Sequence, residues 1–310
     1  MLPRGQSAKP LTGIALHLGA ITVLVTMAAC IKIATVEVPT GQAVFARAAF
    51  SLPLILGWIA LQGPLRDGLR MERPRLHLLR GLIGTLALSL NFLALSLLPL
   101  PEVTAIEFAA PLVTVVFAVL LLGETVRLLR WSAVFVGLIG VLIIVWPRLG
   151  LGAEAGETDW ARIGALAALG SACAAALVKI LLRRMVITES TPAIAFYFAL
   201  TASLIGLASA PFGWVWPSAK VAALLVASGL LGGIGQLMLT ASYRYADASA
   251  LAPFWYAQFL FATAFGVFLF GDLPTTQTLL GAALVIAAGL LIAWRESRLA
   301  KAARLGATGR

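Results

Sequence analysis

Hydrophobic positions in this chain come in long unbroken runs, and polar positions are mostly confined to the short stretches between them. A helix rises about 1.5 Å per residue, so runs of about twenty residues cross a hydrocarbon core about 30 Å thick. The runs predict ten spanning helices, at residues 11–34, 40–62, 76–98, 101–123, 130–147, 160–183, 191–212, 218–243, 247–270 and 275–295. Val38-Pro39, Gly63-Pro64, Leu98 to Pro101, Trp146-Pro147 and Trp216-Pro217 punctuate them, as helix breakers should. The longest connections are 63–75 and 148–160, the latter with Glu154, Glu157 and Asp159. Neither can fold as a soluble domain. Arg4 and Lys9 ahead of the first run imitate a signal peptide, but Leu11 to Ala34 is too long for one and suits a full span. The expected fold class is an all-α integral membrane protein.

Composition agrees: 61% of the 310 residues are hydrophobic, 12% are charged, and the mean hydropathy is +0.98. The net charge of +10 does not form a basic face, so a nucleic-acid partner is not expected. The basic residues instead report topology, because loops on the cytoplasmic side are enriched in Lys and Arg. With the N-terminus inside, only Arg148, Arg162 and Lys220 fall on the outer side, and Lys32, Arg47 and Lys179 fall within spans. Arg80 and the remaining cations are assigned to inner loops and tails. Both termini are therefore expected in the cytoplasm of a bacterial cell, around an inner-membrane protein. Cys30 and Cys173 lie in apolar runs, and His17 and His77 are the two histidines, so no metal site, disulfide or cofactor is expected.

The chain also repeats itself. Ala94 to Glu124 aligns with Ala241 to Asp272 at an offset of about 148 residues, and Lys32 corresponds to Lys179. This divides the chain into 1–150 and 151–310, each with five helices. An odd number of crossings forces the second copy to be inverted relative to the first, which places a binding site near the midplane between the halves.

Arg80-Gly81-Leu82, Ala105 to Phe108 with Pro111, Leu122-Gly123-Glu124, and Phe45 with Arg47 resemble the EamA family of the drug/metabolite transporter superfamily. The resemblance covers nearly the whole chain in two copies, and within the family it is most similar to amino-acid exporters of the YddG type. It implies a 5+5 inverted repeat that moves small metabolites outward. The second copy departs from the pattern: Asp272 stands for the closing Glu, and no acid matches Glu107.

Glu107 is an acid within the apolar slab, where a charge needs a partner or a wet cavity. Arg47 is at similar depth, so the two can form either a gate and docking point for a zwitterion or a structural ion pair. Lys32 and Lys179 either snorkel to the interface or line the access pathways. Trp255, Tyr256 and Gln258 in helix 9 suit an apolar or aromatic solute with a polar anchor, or ordinary packing. Asn91 and Gln236 take comparable places in the two halves, with interhelical hydrogen bonding as their default. Ser171 and Tyr197 are weaker members of the set. Pro111 and Pro253 interrupt helices 4 and 9, as flexing points or static kinks. Gly229, Gly232, Gly233 and Gly235 allow close helix approach rather than forming a phosphate loop.

These features predict a secondary transporter exporting small metabolites, amino acids foremost, as monomer or homodimer in the lipid bilayer. Multidrug efflux is the alternative. A nucleotide-sugar carrier should need more cations facing its cavity, and an intramembrane enzyme should show a nucleophile-base set that these spans lack.

Overall fold

The computed structural model describes residues 10–123, 128–149, 159–246 and 248–308. Glu124, which closes the first-copy motif, lies outside them, as do Arg4, Lys9, Arg127, Glu154, Glu157, Arg310 and the boundary near 150. Every regular element among the described residues is helical, and ten helices are long and apolar enough to span a membrane. They are spans 1 to 10: Leu11–Ala34, Thr40–Gln62, Pro74–Leu97, Leu100–Leu122, Trp131–Arg148, Asp159–Met185, Thr191–Ala208, Ala219–Tyr243, Pro253–Phe270 and Thr276–Arg295.

Most boundaries match the apolar runs within a few residues. Span 7 stops earlier than expected, at Ala208 rather than 212, because Pro211 cannot continue a helix and the Ser209 hydroxyl turns back onto the Gly206 carbonyl at 2.6 Å. The final helix instead runs on from Thr276 to Thr308, since Ala, Leu, Lys and Arg sustain a helix after the apolar run ends. A short helix, Leu65–Gly68, sits in the connection after span 2.

Three spans are broken. Span 2 comprises Thr40–Ala49 and Leu52–Gln62, span 4 Leu100–Glu107 and Ala109–Leu122, and span 9 is interrupted at Tyr256. Pro53 and Pro111 explain the first two. Each lacks the N–H that would bond the carbonyl four residues earlier, at Ala49 and Glu107 respectively. Pro253 lies three residues ahead of the third break, in the preceding helical piece. Spans 4 and 9 end alike, at Gly123 (φ 66°) and Gly271 (φ 71°), a left-handed cap that glycine adopts at no steric cost.

The bundle packs chiefly as span 1 on span 8, span 3 on span 6, span 5 on span 10 and span 2 on span 7, while span 4 lies mainly on span 6 and span 9 mainly on span 1, with spans 4 and 9 also in contact. Span 5 and span 10 approach most closely where Gly140 faces Gly281, for a Cβ on either would collide with the other's carbonyl. Tryptophans stand exposed at the bundle's two ends. Trp131 and Trp294 mark one, and Trp146, Trp160 and Trp216 mark the other.

Candidate functional site in the bundle interior

The break in span 4 places Glu107 at the last position of the first helical piece. Its Oε1 accepts a hydrogen bond from Asn91 Nδ2 of span 3 at 2.5 Å. The Ser171 hydroxyl of span 6 lies 3.2 Å from the same oxygen and 3.0 Å from the Ala87 carbonyl. Lys179, two turns further along span 6, is exposed, yet its charge acts on Glu107. Spans 3, 4 and 6 thus gather an acid, an amide, a hydroxyl and a lysine. Glu107 is held by neutral donors, and among the described residues no cation comes within ion-pair distance of it.

Arg47 is therefore not the partner of Glu107. Its side chain runs past Gly232 of span 8, where a Cβ would stand 3.3 Å from the guanidinium Nε. Arg80, assigned from sequence to the inner loops, belongs to span 3 and turns inward. It stacks on the Phe198 ring of span 7 at 4.3 Å, and its charge acts on that of Arg47. Sequence reasoning missed it because its backbone lies near the span's end. Gly84, one turn on, was the available signal, since it opens the slot that the long side chain enters.

The polar and aromatic side chains of span 9 divide among different neighbours. Tyr256, at the break, meets Phe108 at the break in span 4, with ring centroids 5.1 Å apart and nearly perpendicular. Its hydroxyl fills the space over Gly289 of span 10, so that any Cβ there would collide. Trp255 packs 5.6 Å from His17 of span 1, whose Nδ1 lies 3.2 Å from the Ser242 hydroxyl. Gln258 is half-buried and Gln236 exposed, and neither amide bonds to the Glu107 cluster. Tyr197 donates to the Leu69 carbonyl at 2.9 Å, which ties span 7 to the connection after span 2.

Lys32 is a helix-end clasp. Its ammonium donates to the Leu98 carbonyl at 2.6 Å and the Leu95 carbonyl at 3.3 Å, satisfying orphan acceptors where span 3 ends, and lies 3.9 Å from Asp272. Two further acids hold the ends of the bundle. Glu102 pairs with Arg148 at 2.7 Å, and Glu189 sits 2.9 Å from His77 Nε2 while accepting from the Glu72 and Arg73 backbone. Burial works against the Glu189 carboxylate, but the histidine and these amides outweigh it and hold it below the ordinary carboxylate range.

Ten apolar helices around charged and polar side chains make this a multi-pass membrane protein with polar groups in its interior. The chain belongs to the EamA-like transporter family, whose model matches residues 11–146 and again 162–294. It is 28% identical to the S-adenosylmethionine uptake transporter of Rickettsia prowazekii, over 83% of this chain and 84% of that one. It is 27% identical to the pseudopaline exporter of Pseudomonas aeruginosa (84% and 89% covered) and 26% identical to a riboflavin transporter of Vibrio cholerae (84% and 85%). A solved crystal structure with 23% identity superposes with a TM-score of 0.65 over 93% of this chain and 97% of that one, and so shares the fold. The chain is accordingly a transporter of a bacterial membrane. The finer resemblance, to amino-acid exporters of the YddG type, is not what these relatives are named for.

Proposed function

We propose that this protein is a secondary transporter that exports small metabolites, amino acids foremost, across the bacterial inner membrane by alternating access. Its termini face the cytoplasm and its two five-helix halves, 1–150 and 151–310, are inverted copies. The packing pairs support that symmetry. Exchanging spans 1–5 with 6–10 turns the pair 1 and 8 into 6 and 3, and leaves 2 and 7, 4 and 9, and 5 and 10 as they are. Phe108 and Tyr256 touch at an offset of 148 residues, as equivalent positions beside a two-fold axis would.

The observation that carries the reading is Glu107, an acid in the apolar slab held by Asn91 and Ser171 at a break in its own span. A carboxylate supported by neutral donors is free to take a proton or a substrate ammonium. The broken spans 4 and 9, meeting at Phe108 and Tyr256, are where the halves would flex. Relatives named for S-adenosylmethionine and riboflavin favour a second reading, carriage of a bulkier metabolite past the Trp255 and Tyr256 wall.

Substrate counterflow in proteoliposomes separates the two, using an amino-acid panel beside riboflavin, S-adenosylmethionine and a cationic drug. Uptake of amino acids supports the first reading. Uptake of the larger solutes alone replaces it with the second.

A further inference from the structure

Two arginines stand in the middle of the bundle without an anion. Gly84 lies near the centre of span 3 and Gly232 near the centre of span 8, and each leaves room for a guanidinium. A Cβ on Gly84 would collide with Arg80 Nη1, and one on Gly232 would press on Arg47 Nε. Both side chains keep some accessible surface, yet Arg47 Nε and Arg80 Nε and Nη1 are fully enclosed and have no hydrogen-bond partner. Among the described residues neither guanidinium has a carboxylate within ion-pair distance. Arg80 is braced on one face by the Phe198 ring, a contact that supplies its N–H groups with no acceptor.

This arrangement is costly by itself. Two like charges act on one another at mid-depth in a membrane protein, with donors unsatisfied. The cost disappears when an oxyanion enters. The planar fork of a guanidinium matches a carboxylate or phosphate, and charge-assisted hydrogen bonds are the strong ones. We propose that Arg47 and Arg80 form an anion subsite that receives the carboxylate of the transported solute. The proposal rests on the reading of this chain as a transporter of small metabolites, and gives that solute a charge at one end. Gly84 and Gly232 are then parts of the subsite, because they set where each guanidinium can lie.

The test is equilibrium binding to the full chain in lipid nanodiscs, by calorimetry and thermal melting. The probes are phenylalanine, phenylacetate (the carboxylate without the amine), phenethylamine (the amine without the carboxylate) and inorganic phosphate. Phenylalanine and phenylacetate are expected to bind and raise the melting temperature, and phenethylamine is not. Arg47→Gln and Arg80→Gln should each weaken carboxylate binding about tenfold to a hundredfold, with Arg80→Lys recovering part of it. Without ligand, both Gln variants should melt no lower than the parent, because each removes a repelling cation.

Phenylalanine binding within twofold of the parent in both Gln variants overturns the subsite and leaves the amino-acid reading standing. Phenylacetate binding that is lost in the Gln variants, with no phenylalanine binding, keeps the subsite and removes the amino-acid reading, whereas binding of phosphate but of neither carboxylate overturns the carboxylate assignment. An Arg80→Gln variant that melts lower, with Arg80→Lys binding no better than it, overturns the subsite, as does failure of every anion to bind.

Discussion

Glu107 owes its position to two short neutral side chains, and that makes its chemistry accessible to mutation. If it carries a proton through the cycle, Glu107→Gln abolishes the pH dependence of counterflow, and an unchanged rate and pH profile would remove the proton from the mechanism. Asn91→Leu leaves the carboxylate without its closest donor and is expected to cost about 1–3 kcal/mol of stability, read as a lower melting temperature in detergent. In the connection between spans 6 and 7, Glu189 predicts an acid-labile latch. Its folded carboxyl titrates below its unfolded value, so the stability it contributes is present above the unfolded value and is lost as pH falls through the folded one. Glu189→Gln should flatten that part of the stability profile, measured by melting at stepwise lower pH. Glu107, Asn91 and Ser171 were legible in sequence because polar residues inside apolar runs announce themselves. Their mutual contact was not, since it depends on how spans 3, 4 and 6 rotate against one another. Arg47 was legible as a buried charge but was matched to the wrong neighbour, because equal depth does not specify azimuth around a bundle.

Span ends and breaks were nearly all visible beforehand, since apolar run length, proline and glycine dictate them through backbone chemistry alone. Pro53 went unread because it sits in an uninterrupted apolar run. Pro111→Ala restores the missing donor for the Glu107 carbonyl and should straighten span 4. Counterflow is expected to slow several-fold while the melting temperature stays level or rises, which separates a flexing break from a static one. Lys32 belongs to this scale too. Lys32→Met strips the Leu95 and Leu98 carbonyls of their donor and leaves Asp272 alone, at an expected cost of about 1–3 kcal/mol. Snorkelling predicts almost no change in the same melt.

At the scale of the whole molecule, ten candidate crossings were readable from the apolar runs, but the pairing of spans was not. It emerges from small-residue contacts such as Gly140 with Gly281, which no single run of sequence displays. The exposed tryptophans carry a consequence of another kind. Trp131 and Trp146 bracket span 5 about 22 Å apart along its axis, at 1.5 Å per residue, and indole rings settle at the headgroup level. They act as a gauge for hydrophobic thickness. Bilayers much thicker than that spacing force the lipid to thin, and thinner ones force the span to tilt, at fractions of a kcal/mol for each ångström of mismatch. Reconstituted into phosphatidylcholines of graded acyl length, the protein is expected to turn over fastest at an intermediate length and to slow on either side, as the lipid itself begins to favour one arrangement of the spans over another.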